Sequence, residues 1–155
     1  MNDHRAANTV VWVHGDGLSP TNPALIAFPD APAIFVFDDV LLHAYQLSLK
    51  RIVFLYECLL ELPVDIRRGD VFDHLIAFAR ENDATRLVTT LSPAPRFRQL
   101  VEQLSVEIVV TVLDVPSLVD YDGQPDLRRF SRYWRDVQHA ALKPTAPDGT
   151  DEFVR

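Results

Sequence analysis

Sulfur is almost missing from this sequence, whose 155 residues hold one cysteine, Cys58, and one methionine. A lone cysteine cannot close an internal disulfide, which excludes a disulfide-stapled secreted scaffold and fits a reducing cytoplasm. Basic residues are in the minority: 15 Lys and Arg stand against 22 Asp and Glu, a formal net charge of -7. Nucleic acid is held by clustered cations, so this balance argues against direct contact with DNA or RNA. The 5 glycines include no Gly-Lys-Ser/Thr phosphate loop, and Gly15-Asp16-Gly17 lacks the third glycine of a dinucleotide fingerprint. No apolar run approaches the ~18 residues of a membrane span, and no charged-then-apolar leader opens the chain. The expectation is a soluble cytoplasmic protein with no membrane partner.

What is present is apolar material, 48% of the residues, enough for one compact domain with a full core. Five segments read as strands: Thr9–His14, Ala33–Phe37, Val64–Arg67, Arg86–Thr90 and Glu107–Leu113. Val10-Val11-Trp12-Val13 and Ile34-Phe35-Val36-Phe37 are continuous rather than alternating, as parallel strands covered on both faces are. Between them, Leu49, Ile52, Val53, Tyr56, Leu59 and Leu60 follow a helical period, as do Phe72, Leu75, Ile76 and Ala79, and Phe97, Leu100, Val101 and Leu104. Asn22 caps a short first helix with Pro23 in its first turn. Alternating strand and helix predicts an α/β fold, a Rossmann-like doubly wound five-stranded parallel sheet of order 3-2-1-4-5. The Asp38–Leu47 connection is long for such a unit and reads as a loop.

Residues 9–116 form this α/β domain, after a flexible N-terminus at 1–8. Residues 117–142 are linker-like and carry a C-terminal helix marked by Leu127, Phe130, Trp134, Val137 and Ala141. Residues 143–155 read as a flexible tail.

In an open parallel sheet, ligands bind beyond the carboxyl ends of the strands, where strand order reverses. Order 3-2-1-4-5 puts that crevice between the first and fourth strands. Its candidate lining is His14, Gly15, Asp16, Gly17 and Leu91, Ser92, Pro93, with Phe37 and Asp38 from the second strand nearby. Glycine lets a ligand approach the backbone, Asp38 can accept from a ring N–H, and Phe37 can pack on a flat ring. Against this, Gly15 and Gly17 equally suit a tight turn, and Asp38 or Asp39 a helix cap. The histidines show no metal-ligand spacing, Cys58 sits within a helical apolar pattern, and Asp38-Asp39 reads as a solvated turn. No catalytic residue and no metal site is expected. Arg128, Arg129, Arg132 and Arg135 surround Phe130, Tyr133 and Trp134, a composition favoured at protein interfaces; packing on the chain's own sheet is the rival reading.

Six motifs in order carry a family resemblance. They are Val11-Trp12 with Asn22-Pro23-Ala24-Leu25, then Phe35-Val36-Phe37-Asp38, and Phe54-Leu55 with Leu59 and Leu62. Arg67-Arg68-Gly69-Asp70 and Asp83-Ala84-Thr85 with Leu87-Val88 follow; Asp122-Gly123-Gln124-Pro125 with Phe130 and Trp134-Arg135 is the last. Together, over residues 9–138, they resemble the amino-terminal α/β domain of the photolyase/cryptochrome family. The resemblance implies an antenna pigment, either a folate, a deazaflavin or a flavin, held at or beside this domain. In that family FAD and the repair chemistry belong to a following helical domain. No such domain is in this sequence, so FAD is not expected on this chain, nor is it expected to be active alone. A separate FAD-binding domain docked through Phe130, Trp134 and Arg135, or a homo-oligomer, are the implied partners. The chain departs from the family at Val13–Leu18, where an arginine-rich loop is usual, and at Leu91-Ser92-Pro93-Ala94-Pro95, which lacks the usual polar loop. The implied pigment site is therefore an altered one. The alternative is a small nucleotide-binding protein like the universal stress proteins, which places ATP at the same sheet edge. It lacks the glycine-rich phosphate motif after the fourth strand.

Overall fold

The computed structural model describes residues 8–117, 119 and 121–142. The 1–8 segment (Asn8 apart) and the 143–155 tail lie outside the described residues. The chain divides into two units, Met1–Val115 and Pro116–Arg155.

The first unit holds five strands, β1 (Thr9–Val13), β2 (Ala33–Asp38), β3 (Asp65–Gly69), β4 (Arg86–Thr90) and β5 (Val109–Leu113). All pair parallel, in the order β3-β2-β1-β4-β5. The central strand, β1, is buried at every position, so its uninterrupted apolar run is what two covered faces require. Helices α1 (Pro23–Ala27) and α3 (Leu49–Leu60) lie on one face, and α4 (Val71–Glu81) and α5 (Pro95–Glu107) on the other.

Side chains alternate across the sheet and divide the core in two. Val10, Trp12, Ile34, Val36 and Leu87 pack with Leu75 and Phe78 of α4 and Phe97, Leu100 and Leu104 of α5. Val11, Val13, Phe35 and Val88 pack with Ala24 and Leu25 of α1, Leu59 of α3 and Leu62. Several helix starts are fixed by side chains. Asn22 accepts from the Ala24 N–H at 2.8 Å and Asp70 from the Asp73 N–H at 3.1 Å, satisfying donors that the first turn leaves free.

Five local expectations are corrected. His14 lies past the end of β1, where the chain turns. β2 extends to Asp38, and β3 runs over Asp65–Gly69 rather than from Val64 to Arg67. Glu107 closes α5 instead of opening β5. The Asp38–Leu47 connection contains a short helix, α2 (Asp39–Ala44), capped by Asp38 and with no buried residue. Gly69 takes a φ of +145°, and a Cβ there would meet His74 Nε2 at 2.6 Å. The Arg68-Gly69-Asp70 turn thus needs glycine for conformation and for space.

The second unit contains α6 (Phe130–Ala141). Asp126 accepts from the Arg128 N–H at 2.9 Å and from Arg132 at 3.0 Å, while its own N–H donates to Asp136 at 3.2 Å. Among the described residues no helix is long and apolar enough to cross a membrane.

Leu87 is fully buried on β4, the strand beside the central β1. Leu87→Ala is expected to lower unfolding free energy by about 2–5 kcal/mol, read as a reduced urea midpoint with an unchanged slope.

Candidate functional site at the carboxyl edge

Strand order reverses at β1, whose neighbours are β2 and β4. Chain segments therefore leave the carboxyl ends of β1 and β4 in opposite directions, and side-chain contacts bridge the gap. His14 Nε2 donates to the Thr90 carbonyl at 2.8 Å, while His14 Nδ1 accepts from the Asp16 N–H at 3.3 Å. A nitrogen that accepts carries no proton, so this network assigns the proton to Nε2. The ring packs on Trp12 and Phe97, with centroids 5.8 and 5.2 Å away. A second bridge joins Ser92, whose hydroxyl donates to Asp16 Oδ2 and accepts from the Ala94 N–H.

A third contact was not anticipated. Arg96, in the first turn of α5, reaches over the end of β1 to Asp38 at the end of β2. Nε donates to Oδ2, and the second guanidinium bond, to Oδ1, is 3.1 Å. Asp38 Oδ1 also accepts from the Val40 N–H at 2.9 Å. The carboxylate is buried and Arg96 largely so. Asp38 thus caps α2 and anchors α5, rather than standing free for a ligand's ring N–H.

The two glycines play different parts. A Cβ on Gly17 would meet Asn22 Nδ2 at 2.7 Å and Thr90 Oγ1 at 3.2 Å, in a turn held by Gly17 N–H to the His14 carbonyl at 2.9 Å. Gly17 serves the turn. Gly15 is exposed, and a Cβ there would meet nothing within 4 Å. Phe37 alternates with Asp38 to the opposite face, where it packs edge-on against Phe35 with centroids 5.0 Å apart. Of the expected lining, the structure brings together His14, Gly15, Asp16, Gly17 and Ser92. Asp38 is tied to Arg96 instead, and Phe37 stands apart.

The hydrogen-bond wiring decides what this edge can do chemically. Ser, His and Asp meet here, but not as an activated nucleophile, which needs serine bonded to histidine and histidine to the carboxylate. Ser92 is bonded to Asp16, and the Nε2 proton of His14 is committed to a backbone carbonyl. Among the described residues no cluster of His, Cys, Asp or Glu is arranged to hold a metal ion. Two depressions of about 460 and 500 Å³ lie at the opposite, amino end of the strands, one lined by Ala84, Thr85 and Val109 and the other by Ala33, Leu62 and Asp65. They hold none of these polar contacts.

No protein-family model matches this chain. No curated protein matches it.

Two predictions follow from the wiring. Arg96→Met leaves Asp38 buried without its cation and is expected to cost about 3 kcal/mol in chemical denaturation. Burial holds His14 below the usual imidazole value of 6.5, against the raising effects of the Thr90 hydrogen bond and Asp16. The unfolded chain therefore takes up this proton first as pH falls. Stability from neutral His14 is complete above 6.5 and declines below it until the folded imidazole also protonates. As pH falls below 6.5, the wild type is expected to lose thermal stability more steeply than His14→Gln. Equal slopes in paired melting curves would refute this.

Proposed function

We propose that this chain is a non-catalytic binding module of the photolyase/cryptochrome type, receiving a flat, ring-shaped ligand of the antenna-pigment class at its carboxyl edge. The observation that carries the reading is the open space over Gly15, beside the Asp16–Ser92 bridge. A ring can approach the backbone there without displacing a side chain. The loops on either side are already tied by hydrogen bonds, so little ordering entropy opposes binding. Leu91, exposed beside Ser92, offers apolar contact to the ring.

Fluorescence and absorbance titrations with a reduced folate, a deazaflavin, FMN and ATP test the proposal. One of the three pigments is expected to bind with a spectral shift. Gly15→Val is expected to weaken it by about tenfold or more while leaving the melting temperature unchanged, since its side chain fills only solvent. No pigment signal at concentrations on the order of 100 μM would end the proposal. Tight ATP binding lost in Asp16→Asn or Ser92→Ala would replace it with the nucleotide-binding reading.

A second reading has its own observation. On α6, Phe130 and Trp134 stack with centroids 6.1 Å apart and an interplanar angle of 13°, and Phe130 is 75% exposed. An aromatic pair in water flanked by arginines is suited to anchor a separately encoded flavin domain. Co-elution with such a domain, lost on Phe130→Ala, is the outcome this reading requires.

A further inference from the structure

Apart from Phe54, which is exposed outside both, the large apolar residues of α3 form two stripes, and the core uses only one. Leu59 is buried and Ile52 and Leu55 are half-buried on the side facing the sheet. Leu49, Val53, Tyr56 and Leu60 are exposed by 74, 46, 47 and 64%. These four recur at steps of four, three and four residues, the spacing of a coiled-coil seam. A contiguous apolar strip in water is unfavourable roughly in proportion to its area, and marks an interaction surface.

The charges beside the seam say what covers it. Lys50 in the first turn and Glu57 near the end are both exposed and lie along the same flank of the stripe. Among the described residues neither takes part in an ion pair. Both also oppose their own helix dipole, which favours acidic groups at the start and basic groups at the end. The first turn of α3 holds no acidic residue and the last turn no basic one. Glu61, four residues beyond Glu57, adds like-charge repulsion on the same side. An antiparallel helix of identical sequence answers each of these features, because its acidic end lies beside Lys50 and its basic end beside Glu57.

We propose that α3 is the interface of an isologous dimer, in which two copies of this chain pair their α3 helices antiparallel about a two-fold axis. Leu49 and Val53 of one copy meet Leu60 and Tyr56 of the other, and the symmetry repeats each contact. Lys50 of each copy lies beside Glu57 of the other, giving two ion pairs for one kind of contact. The seam is about 18 Å long, the length of a 12-residue helix. Such a dimer leaves the carboxyl edge and its ligand to be assayed independently.

Sedimentation velocity on the full chain, across a concentration series, tests the dimer. A monomer–dimer equilibrium is expected, and Val53→Glu is expected to give monomer with an unchanged circular dichroism spectrum. Lys50→Glu and Glu57→Lys each place like charges opposite one another twice, and each is expected to weaken dimerisation by about tenfold or more. Combining the two reversals is expected to bring the dissociation constant back to within about fivefold of the wild type, as only a self-complementary contact allows. A wild type that stays monomeric at about 500 μM would overturn the proposal. So would single reversals without effect, a double reversal that restores nothing, or a dimer that survives Val53→Glu. A monomer whose α3 substitutions instead abolish binding of a separate flavin domain would assign the stripe to that partner.

Discussion

A carboxylate buried at the end of β2 requires a cation, and Arg96 is the group that provides it. The arginine comes from the first turn of α5, on the far side of β1, so pairing it with Asp38 fixes the separation of three strand ends at once. The same carboxylate caps α2, which sets the direction in which the chain leaves β2. Guanidinium and carboxylate match as a planar two-point contact, and that geometry resists sliding in a way a single hydrogen bond does not. Once α5 is held there, Phe97 is carried onto Trp12 in a stacked contact with centroids 5.4 Å apart. His14 then packs against both rings. The architecture of the carboxyl edge descends from this one ion pair.

The wiring also separates two meanings of a polar cluster. Serine, histidine and aspartate at a strand edge suggest reaction chemistry by type alone. The bonds they make are those of a clamp: each joins a group following β1 to one at or beyond the end of β4. In this clamp the donors and acceptors are committed to one another, and the Nε2 proton of His14 is held by the Thr90 carbonyl.

The sheet order and the two-layered core were legible in the sequence for a simple physical reason. Strands such as Val10–Val13 and Ile34–Phe37 are apolar on successive residues, and only a strand covered on both sides supports that pattern. The site was legible in part. His14, Asp16 and Ser92 were expected near one another because topology places the ends of β1 and β4 side by side. Phe37 and Asp38 were expected to act together, yet residues adjacent on a strand point to opposite faces, and that alternation could have separated them. Arg96 escaped notice because an arginine after a proline in a helix's first turn reads as solvated. The available signal was its mate: an aspartate ending an apolar strand needs a cation, and Arg96 sits in the first turn of the helix that follows β4, the strand on the other side of β1. The α2 helix was missed because it buries nothing, and so writes no apolar period. The Arg67-Arg68-Gly69-Asp70 motif, noticed through resemblance, is explained by local mechanics. Gly69 clears His74, Asp70 caps α4, and Arg67 pairs with Glu81 at 2.6 Å over the ring of Phe78.

Burial divides the apolar residues into those that hold the fold and those whose reason lies elsewhere. Leu59 and Leu62 attach the α3 end of the chain to the sheet, and removing either would open the core. Leu49 and Leu60 remain mostly in water and Val53 and Tyr56 about half so, so the domain alone gains only part of what burying them would give. Single exposed apolar residues are ordinary on any protein surface. Four at seam spacing, flanked by charges set against their own helix dipole, are not explained by the domain's internal energetics. A surface that is self-complementary in shape period, in charge order and in dipole direction is explained by a second copy of itself, which reverses all three together.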